Sequence, residues 1–417
     1  MELRKRDLAA AVAGNALEFY DFTAYAFFAI QIGDTFFPAK DEFTRLMLTL
    51  VTFGGSFFMR PIGGALIGRY ADRVGRKPAM LLSFTLMGLG VLGLALTPSY
   101  AQIGIAAPVI VVLLRLMQGF ALGGEVGPTT AFLLEAAPPE KRGLFGSLQF
   151  VGQGFSTLLA GIAGVTLATL LTAEQLQQFG WRIAFGLGAL VVPLGFILRR
   201  NLPETLPIAD EPSLPAHPTV RVARNAILGL LSIMGATTGV YVLNYMSTYA
   251  QSILHMKANV SFWATLVFGA CNVVFSLIAG WLSDRYGRKP LMIWPRVLLI
   301  LVTWPAFLLL TTHPDAATLL IATTVMAIFT QSGGAASLVA ITESFPPRLR
   351  SATMATIYAV GVAVFGGTTQ PIIAWLMHAT GDIFAPAWWL IGTTLVCLIA
   401  TFLMEETAPV KTGRADP

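Results

Sequence analysis

The stretch GNALEFYDFTAYAFFAI, Gly14 to Ile30, has the apolar run of a membrane-spanning helix yet carries Glu18 and Asp21. A carboxylate in such a helix is costly unless it is paired or wetted, so it is a functional candidate by default. Spaced i and i+3, the two acids share one helix face, which Asn15 and Tyr25 extend. Like charges this close in a low dielectric cannot both stay ionised cheaply, which suits one of them to taking up and releasing a proton. The competing role is structural, with one acid locked to an arginine.

Few other ionisable groups lie inside apolar runs: Arg60, Arg115, Glu125 and Arg296, with Glu135 and Glu343 near run ends. No Lys is among them. The four His residues, His217, His255, His313 and His378, all fall outside the deep parts of the runs. Any proton carried through the protein therefore rides on a carboxylate, since the usual near-neutral group is absent. Arg60, in FFMRPIG, offers the fork of donors that matches a carboxylate, or else it snorkels to the nearby interface. Arg115 sits deep in RLMQGF, with Gln118 one turn on. Arg296, in WPRVLLI, is expected to snorkel. Glu125, in GGEVGP, either pairs with an arginine or relays protons. Further along, ATTGVYVLNYMSTYAQ places Tyr241, Tyr245 and Thr248 on one helical face, and Asn272, Gln331, Tyr358 and Gln370 are polar groups in other apolar runs.

The elements holding these residues follow from composition. Of 417 residues, 55% are hydrophobic and only 12% are charged, with a mean hydropathy of +0.70. Apolar runs near the length needed to cross a bilayer recur from end to end. Their approximate limits are 8–33, 43–68, 78–97, 104–136, 143–172, 181–198, 224–252, 259–284, 290–312, 316–344, 350–377 and 384–404. The first is read as a retained helix and not a signal peptide, because it is long, acidic and lacks a small-residue cleavage site. The net charge of +5 is a matter of topology. Lys and Arg gather on the side of the termini and the central Pro-rich segment, while the opposite side has Lys40, Arg45, Arg182 and Lys257. By the positive-inside rule both termini are cytoplasmic. No nucleic-acid partner is implied. Cys271 and Cys397 lie far apart within runs, without metal-ligand spacing, and are read as small apolar fillers.

The chain also repeats. GRYADRVGRKP from Gly68 returns as GWLSDRYGRKP from Gly280, and LLEAAPPEKRG returns as AITESFPPRLRS, setting Glu135 against Glu343 and Arg142 against Arg350. Two matches in register divide the chain into homologous halves, 1–198 and 224–417, joined by a cytoplasmic linker at 199–223. The doubled loop and the twelve runs resemble the major facilitator superfamily. FFMRPIGG, RLMQGFALGGE, TESFPPRLRS, VFGGTTQP and GDIFAPAWWL resemble its metabolite–proton symporter branch, with the citrate and tricarballylate symporters nearest.

The resemblance implies an all-α membrane protein of twelve transmembrane helices in two pseudo-symmetric six-helix bundles. It also implies a cytoplasmic gate. Asp72 and Asp284 would face the N-terminus of a neighbouring helix, where an anion is favoured. Their arginines, Arg73, Arg76, Arg285 and Arg288, would bridge helices, with Glu135, Arg142, Glu343 and Arg350 as gate or cap residues. The position of Arg115 resembles an arginine facing the central cavity beside the first helix's acid, so Glu18, Asp21, Arg115 and Glu125 form the expected proton-coupling set. The expected substrate-binding set is Asn15, Arg60, Arg115, Gln118, Tyr241, Tyr245, Thr248, Asn272, Gln331 and Tyr358. The short linker and tail lack the extensions of osmosensing betaine relatives, which argues against that role.

The absences agree. No G-x-x-x-x-G-K-[ST] loop is present for ATP-driven transport, and neither H-E-x-x-H nor G-x-S-x-G for a membrane hydrolase. The stretch GQGFSTLLAGIAG in the fifth run lacks the Gly-Pro motif of drug antiporters. The expectation is a monomeric, multi-pass protein of a bacterial-type inner membrane, not an enzyme. It needs no cofactor or metal and takes up a small organic anion, citrate or another tricarboxylate first, with protons or, as an open alternative, Na+. A dicarboxylate or shikimate-like acid is the alternative cargo, and a non-transporting membrane sensor the alternative class.

Overall fold

The computed structural model describes residues 5–123, 130, 133–134, 137–189, 193 and 220–413. Helices account for nearly all of them. The first half begins with α1 (Lys5–Phe27) and α2 (Ala29–Phe36), one span interrupted at Phe28. It continues with α3 (Glu42–Val74), α4 (Arg76–Leu96), α5 (Ala106–Leu122), α6 (Arg142–Leu170) and α7 (Trp181–Ala189). The second half is α8 (Val220–Ser252), α9 (Ala258–Tyr286), α10 (Arg288–Thr312), α11 (Ala316–Glu343), α12 (Pro347–Gly361), α13 (Gly367–Thr380) and α14 (Ala385–Leu403). A π-turn, Val362–Gly366, joins α12 to α13 within one span.

Among the described residues, eight helices are long and apolar enough to cross a membrane, and Leu81–Leu96 and Ala106–Leu122 are shorter apolar helices. Where the expected run limits fall on described residues they agree with the helix ends to within six residues; the expected ends at 136 and 198 lie outside the described residues. Composition explains why these segments are helices: in lipid each backbone N–H and C=O must be satisfied within its own segment. Some buried hydroxyls are satisfied in the same way. Thr303 and Thr342, for example, donate to the carbonyls of Leu299 and Leu338, one turn back.

Glycine spacing brings the site together. Where α5 crosses α3, a Cβ on Gly119 would overlap the carbonyl of Ser56, and one on Gly63 would overlap that of Phe120. Small residues let the two backbones touch, which sets Arg115 on α5 close to Arg60 on α3. The repeated loop has its own glycine requirement. Gly75 and Gly287 occupy the same motif position, and their φ values are 116° and 102°, a region that side-chain-bearing residues avoid.

Three apolar clusters hold the bundle. One is rich in aromatics and joins α1, α3 and α7 to Phe262 of the second half. The others fill the second half toward its two ends. At the end away from the linker the halves meet closely: Phe28 packs edge-on to Phe262, with ring centroids 5.2 Å apart, and Phe43 stacks on His378 at 3.8 Å.

Candidate functional site

At the linker end, the second copy of the repeated loop builds a complete ionic cluster. Asp284, at the end of α9, accepts hydrogen bonds from the backbone N–H groups of Gly143 (2.7 Å) and Leu144 (2.9 Å) at the start of α6. These are donors that a helix N-terminus leaves free, and its dipole favours the anion. The contact crosses between the halves. Arg288 donates to Asp284 at 2.7 Å and, in fork geometry, to both oxygens of Glu343 at 3.0 and 3.1 Å. Thr407 adds a hydrogen bond to Glu343, and Glu406 accepts from the N–H groups of Arg288 and Lys289, capping α10. Sequence reasoning missed Glu406 and Thr407. The available signal was MEETAP after the last run, which parallels LPETLP after the sixth.

Several expected gate residues stand elsewhere. Arg285 does not bridge helices: it is exposed and lies over the ring of Trp281 on its own helix, 4.9 Å from the centroid. Arg73 is exposed, as its position on the outer turn of α3 dictates. Arg142 is buried at the start of α6. Arg350 is buried and donates to the carbonyl of Phe345, while Glu343 is held by Arg288. The side chains of Asp72 and Arg76, and the whole of Glu135, lie outside the described residues. Arg296 overturns the expectation of snorkelling. It is buried and donates to the Met292 carbonyl and to the hydroxyls of Thr401, Ser232 and Ser337, joining four helices of the second half.

Midway along the bundle a second charged group is organised differently. Asp21 and Arg115 form a buried pair, Nη1 to Oδ2 at 3.3 Å, and the same Nη1 donates to Gln118 at 2.7 Å. Asp21 Oδ1 and the Nε and Nη2 of Arg115 have no hydrogen-bond partner. Arg60, 3% exposed, is without a partner at Nε, Nη1 and Nη2 alike. Aromatic rings hold both cations. The Arg60 guanidinium lies 4.1 Å from the Phe57 ring centroid and 4.9 Å from that of Phe22. That of Arg115 lies 4.5 Å from Phe22 and 4.3 Å from Tyr25. Such contacts partly replace lost hydration, but they use none of the N–H donors. Arg60 therefore does not snorkel. The Glu18 side chain and all of Glu125 lie outside the described residues, so the acid seen beside Arg115 is Asp21.

A small cavity of about 50 Å³ lies beside this group, between the halves. Phe19, Phe22 and Phe53 form its wall toward the arginines, and Gln153, Tyr241, Asn244, Asn272 and Tyr358 supply polar edges. Gln153 donates to the Tyr358 hydroxyl at 3.2 Å. Of the expected binding residues, Tyr241, Asn272 and Tyr358 line the cavity. Tyr245 and Thr248 do not, because the same face of α8 runs on into the packed core of the second half. Asn15 is engaged with Gln149, donating to its carbonyl at 2.6 Å and so tying α1 to α6. Gln331 is fully buried off the cavity, its amide without partners. Gln153 went unremarked, and Asn244, one of the polar groups of ATTGVYVLNYMSTYAQ, was not placed in the expected binding set, because the expected face was drawn through Tyr241, Tyr245 and Thr248. Cys271 and Cys397 are free and buried, and no metal-binding cluster occurs among the described residues.

The family described as "Sugar (and other) transporter" matches residues 7–207 and 214–414. The chain belongs to this family of the major facilitator superfamily. A citrate-proton symporter of Salmonella typhi is 35% identical over 398 residues, which span 94% of this chain and 92% of the relative. One from Klebsiella pneumoniae is 34% identical, with 95% and 91% covered. A proline/betaine transporter of Salmonella typhimurium is 32% identical, over 98% of this chain and 85% of its own length. Among solved structures, a D-xylose-proton symporter superposes with a TM-score of 0.77 at 21% identity, covering 98% of this chain and 99% of the other. That likeness concerns the fold. The transporter is thus a multi-pass membrane protein with the major facilitator architecture, not an enzyme.

Proposed function

We propose that this transporter is a symporter that carries a small organic anion, citrate or another tricarboxylate first, together with protons. One observation carries the reading: the three unpartnered, buried nitrogens of Arg60 stand beside a buried Asp21–Arg115 pair, behind the Phe19, Phe22 and Phe53 wall of a cavity between the halves. A buried cation with free donors is costly, and a carboxylate presents the geometry that satisfies it. The citrate-proton symporters among its relatives support both cargo and coupling ion.

The mechanism follows from the charges. With Asp21 ionised, Arg115 is neutralised by it. Protonation of Asp21 at its free oxygen frees Arg115, so that a substrate carboxylate is drawn toward the two arginines. After the cavity turns to the other side, loss of the proton restores the Asp21–Arg115 pair and expels the anion. Two arginines match citrate best when it is partly protonated. Glu18 and Glu125 belong to the proposed proton set, Gln118 positions Arg115, and Tyr241, Asn272 and Tyr358 bind hydroxyl and carboxyl groups. Alternating access rocks the halves 1–198 and 224–417 about the cavity through the linker at 199–223, as repeat-built transporters do. The Asp284 and Arg288 cluster closes the cytoplasmic side. The protein acts as a monomer in the bacterial inner membrane with both termini cytoplasmic.

A second reading rests on the aromatic lining. Phe19, Phe22, Phe53, Tyr241 and Tyr358 could surround a quaternary ammonium while Arg60 takes its carboxylate, and a proline/betaine transporter is also a relative. Uptake of labelled citrate into proteoliposomes under an inward proton gradient separates the two. Accumulation that collapses to equilibration in Asp21→Asn supports the first reading; uptake of glycine betaine and not citrate replaces it with the second.

A further inference from the structure

Phe22 follows Asp21 on α1 and has three kinds of neighbour. Both guanidinium groups lie against its ring, Arg115 at 4.5 Å and Arg60 at 4.9 Å from the centroid. The ring stacks on Phe57, with centroids 5.5 Å apart and an interplanar angle of 21°. It also lines the cavity, where neither arginine nor Asp21 appears among the lining residues. Phe22 therefore stands between a largely apolar cavity with polar edges at Gln153, Asn244, Asn272 and Tyr358 and a compartment of under-bonded charges. Those charges would gain hydrogen bonds from water or from an anion. What keeps both out is the packing of Phe22 with Phe19, Phe53 and Phe57.

We infer that Phe22 is a specificity-determining shutter: its ring seals Asp21, Arg115 and Arg60 from the cavity, and only a cargo whose carboxylate replaces the ring against Arg60 opens the compartment. This rests on the reading that Asp21 exchanges the proton. It adds an account of why proton movement would require cargo. A ring turned aside lets a carboxylate reach Arg60 while the remainder of the molecule stays against Gln153, Asn244, Asn272 and Tyr358. The same movement opens Asp21 to the cavity, so proton and anion enter in one event. A polar molecule without a carboxylate can accept a hydrogen bond from Arg60 but leaves its charge uncompensated, gains less there and leaves the shutter closed. Selection is thus for a carboxylate on a stem narrow enough to pass the ring, with hydrogen-bonding groups behind it.

The test measures proton entry with no cargo present. Proteoliposomes containing a trapped pH-sensitive dye receive an inward proton gradient, for wild type, Phe22→Ala, Phe22→Leu and Phe22→Ala/Asp21→Asn. Wild type is expected to stay tight and Phe22→Ala to leak at least tenfold faster. Phe22→Leu, which keeps most of the bulk, is expected to leak far less, and the double variant to be tight again. A folded Phe22→Ala as tight as wild type overturns the inference, as does a leak that persists without Asp21. If Phe22→Ala does not fold, Phe22→Cys is labelled with a membrane-impermeant thiol reagent. Labelling changed at least threefold by citrate, but not by glycerol, supports the shutter; labelling indifferent to citrate overturns it. Wild-type citrate uptake in the same vesicles keeps the outcomes apart. If uptake is proton-driven and Phe22→Ala is tight, the shutter alone fails; if no proton-driven uptake of citrate occurs, the proposed function fails.

Discussion

Arg288 and Arg60 are both buried arginines, and their surroundings could hardly differ more. Arg288 finds Ser283, Asp284 and both oxygens of Glu343 with its side chain, while its backbone N–H meets Glu406. Arg60 has no partner at any of its nitrogens and leans instead on Phe57 and Phe22. The first is a finished lock, in which paired charges repay their desolvation through geometry. The second is unfinished, with no hydrogen-bond partner at any nitrogen, and the proposed function assigns its missing partner to the cargo. Arg296 confirms the distinction from the other side: it has no carboxylate nearby in its hydrogen-bond set, yet three hydroxyls and a carbonyl complete it. Burial of a cation alone says nothing about function; unspent donors do.

The sharpest way to break this contrast is to replace each arginine with leucine and compare thermal stability in detergent. Arg288→Leu leaves Asp284 and Glu343 without their counter-charge, and a loss of about 3–5 kcal/mol is expected. Arg60→Leu is expected to be neutral or to stabilise the fold by about 1–2 kcal/mol, while transport is lost. A large destabilisation at Arg60 would show that its role is structural. Next in size, Arg60→Gln should weaken cargo binding by about 1.5–3 kcal/mol, roughly a 10–100-fold rise in KM. Replacing Asp284 with Asn should cost about 1 kcal/mol at the N-terminus of α6 and favour the state open at the linker end, seen as faster labelling of a cysteine placed on that side.

The smallest effect belongs to a cap. The Asp315 carboxylate accepts from the Thr318 N–H at 2.8 Å at the start of α11, and this backbone hydrogen bond holds its pKa below the usual carboxylate value. A depressed folded-state pKa contributes stability above the unfolded value, and that contribution is lost as pH falls through the folded one. Asp315→Ala should therefore be slightly less stable than wild type at neutral pH, with the difference shrinking in melting curves as pH is lowered progressively below about 4.

Much of the molecule was legible beforehand. Span limits follow from hydropathy because lipid leaves the backbone no alternative to helix. The halves follow from the doubled loop, and the place of Asp284 at a helix N-terminus is what the resemblance to the major facilitator superfamily implied. Asp21 and Arg115 stood out because a charge in an apolar run needs a reason. The remaining differences have two sources. Arg296, Tyr245 and Asn15 were placed by helical periodicity and distance from a span's end, and Arg285 by the family resemblance; none of these says which face of this chain's helix meets another. Glu406 was missed because its meaning lies wholly in the helix start it caps.

The sequence by itself determined that the chain spans a membrane as helices, that it is built twice over, and which few charges lie within it. Those properties depend on local chemistry, on hydropathy and the repeat, and they survive without knowledge of packing. Only the tertiary structure decided which buried charges are spent and which are free. That depends on contacts between residues far apart in the chain, such as Asp21 with Arg115, Phe22 with Phe57 and Asp284 with the start of α6, and no spacing along a single helix encodes them.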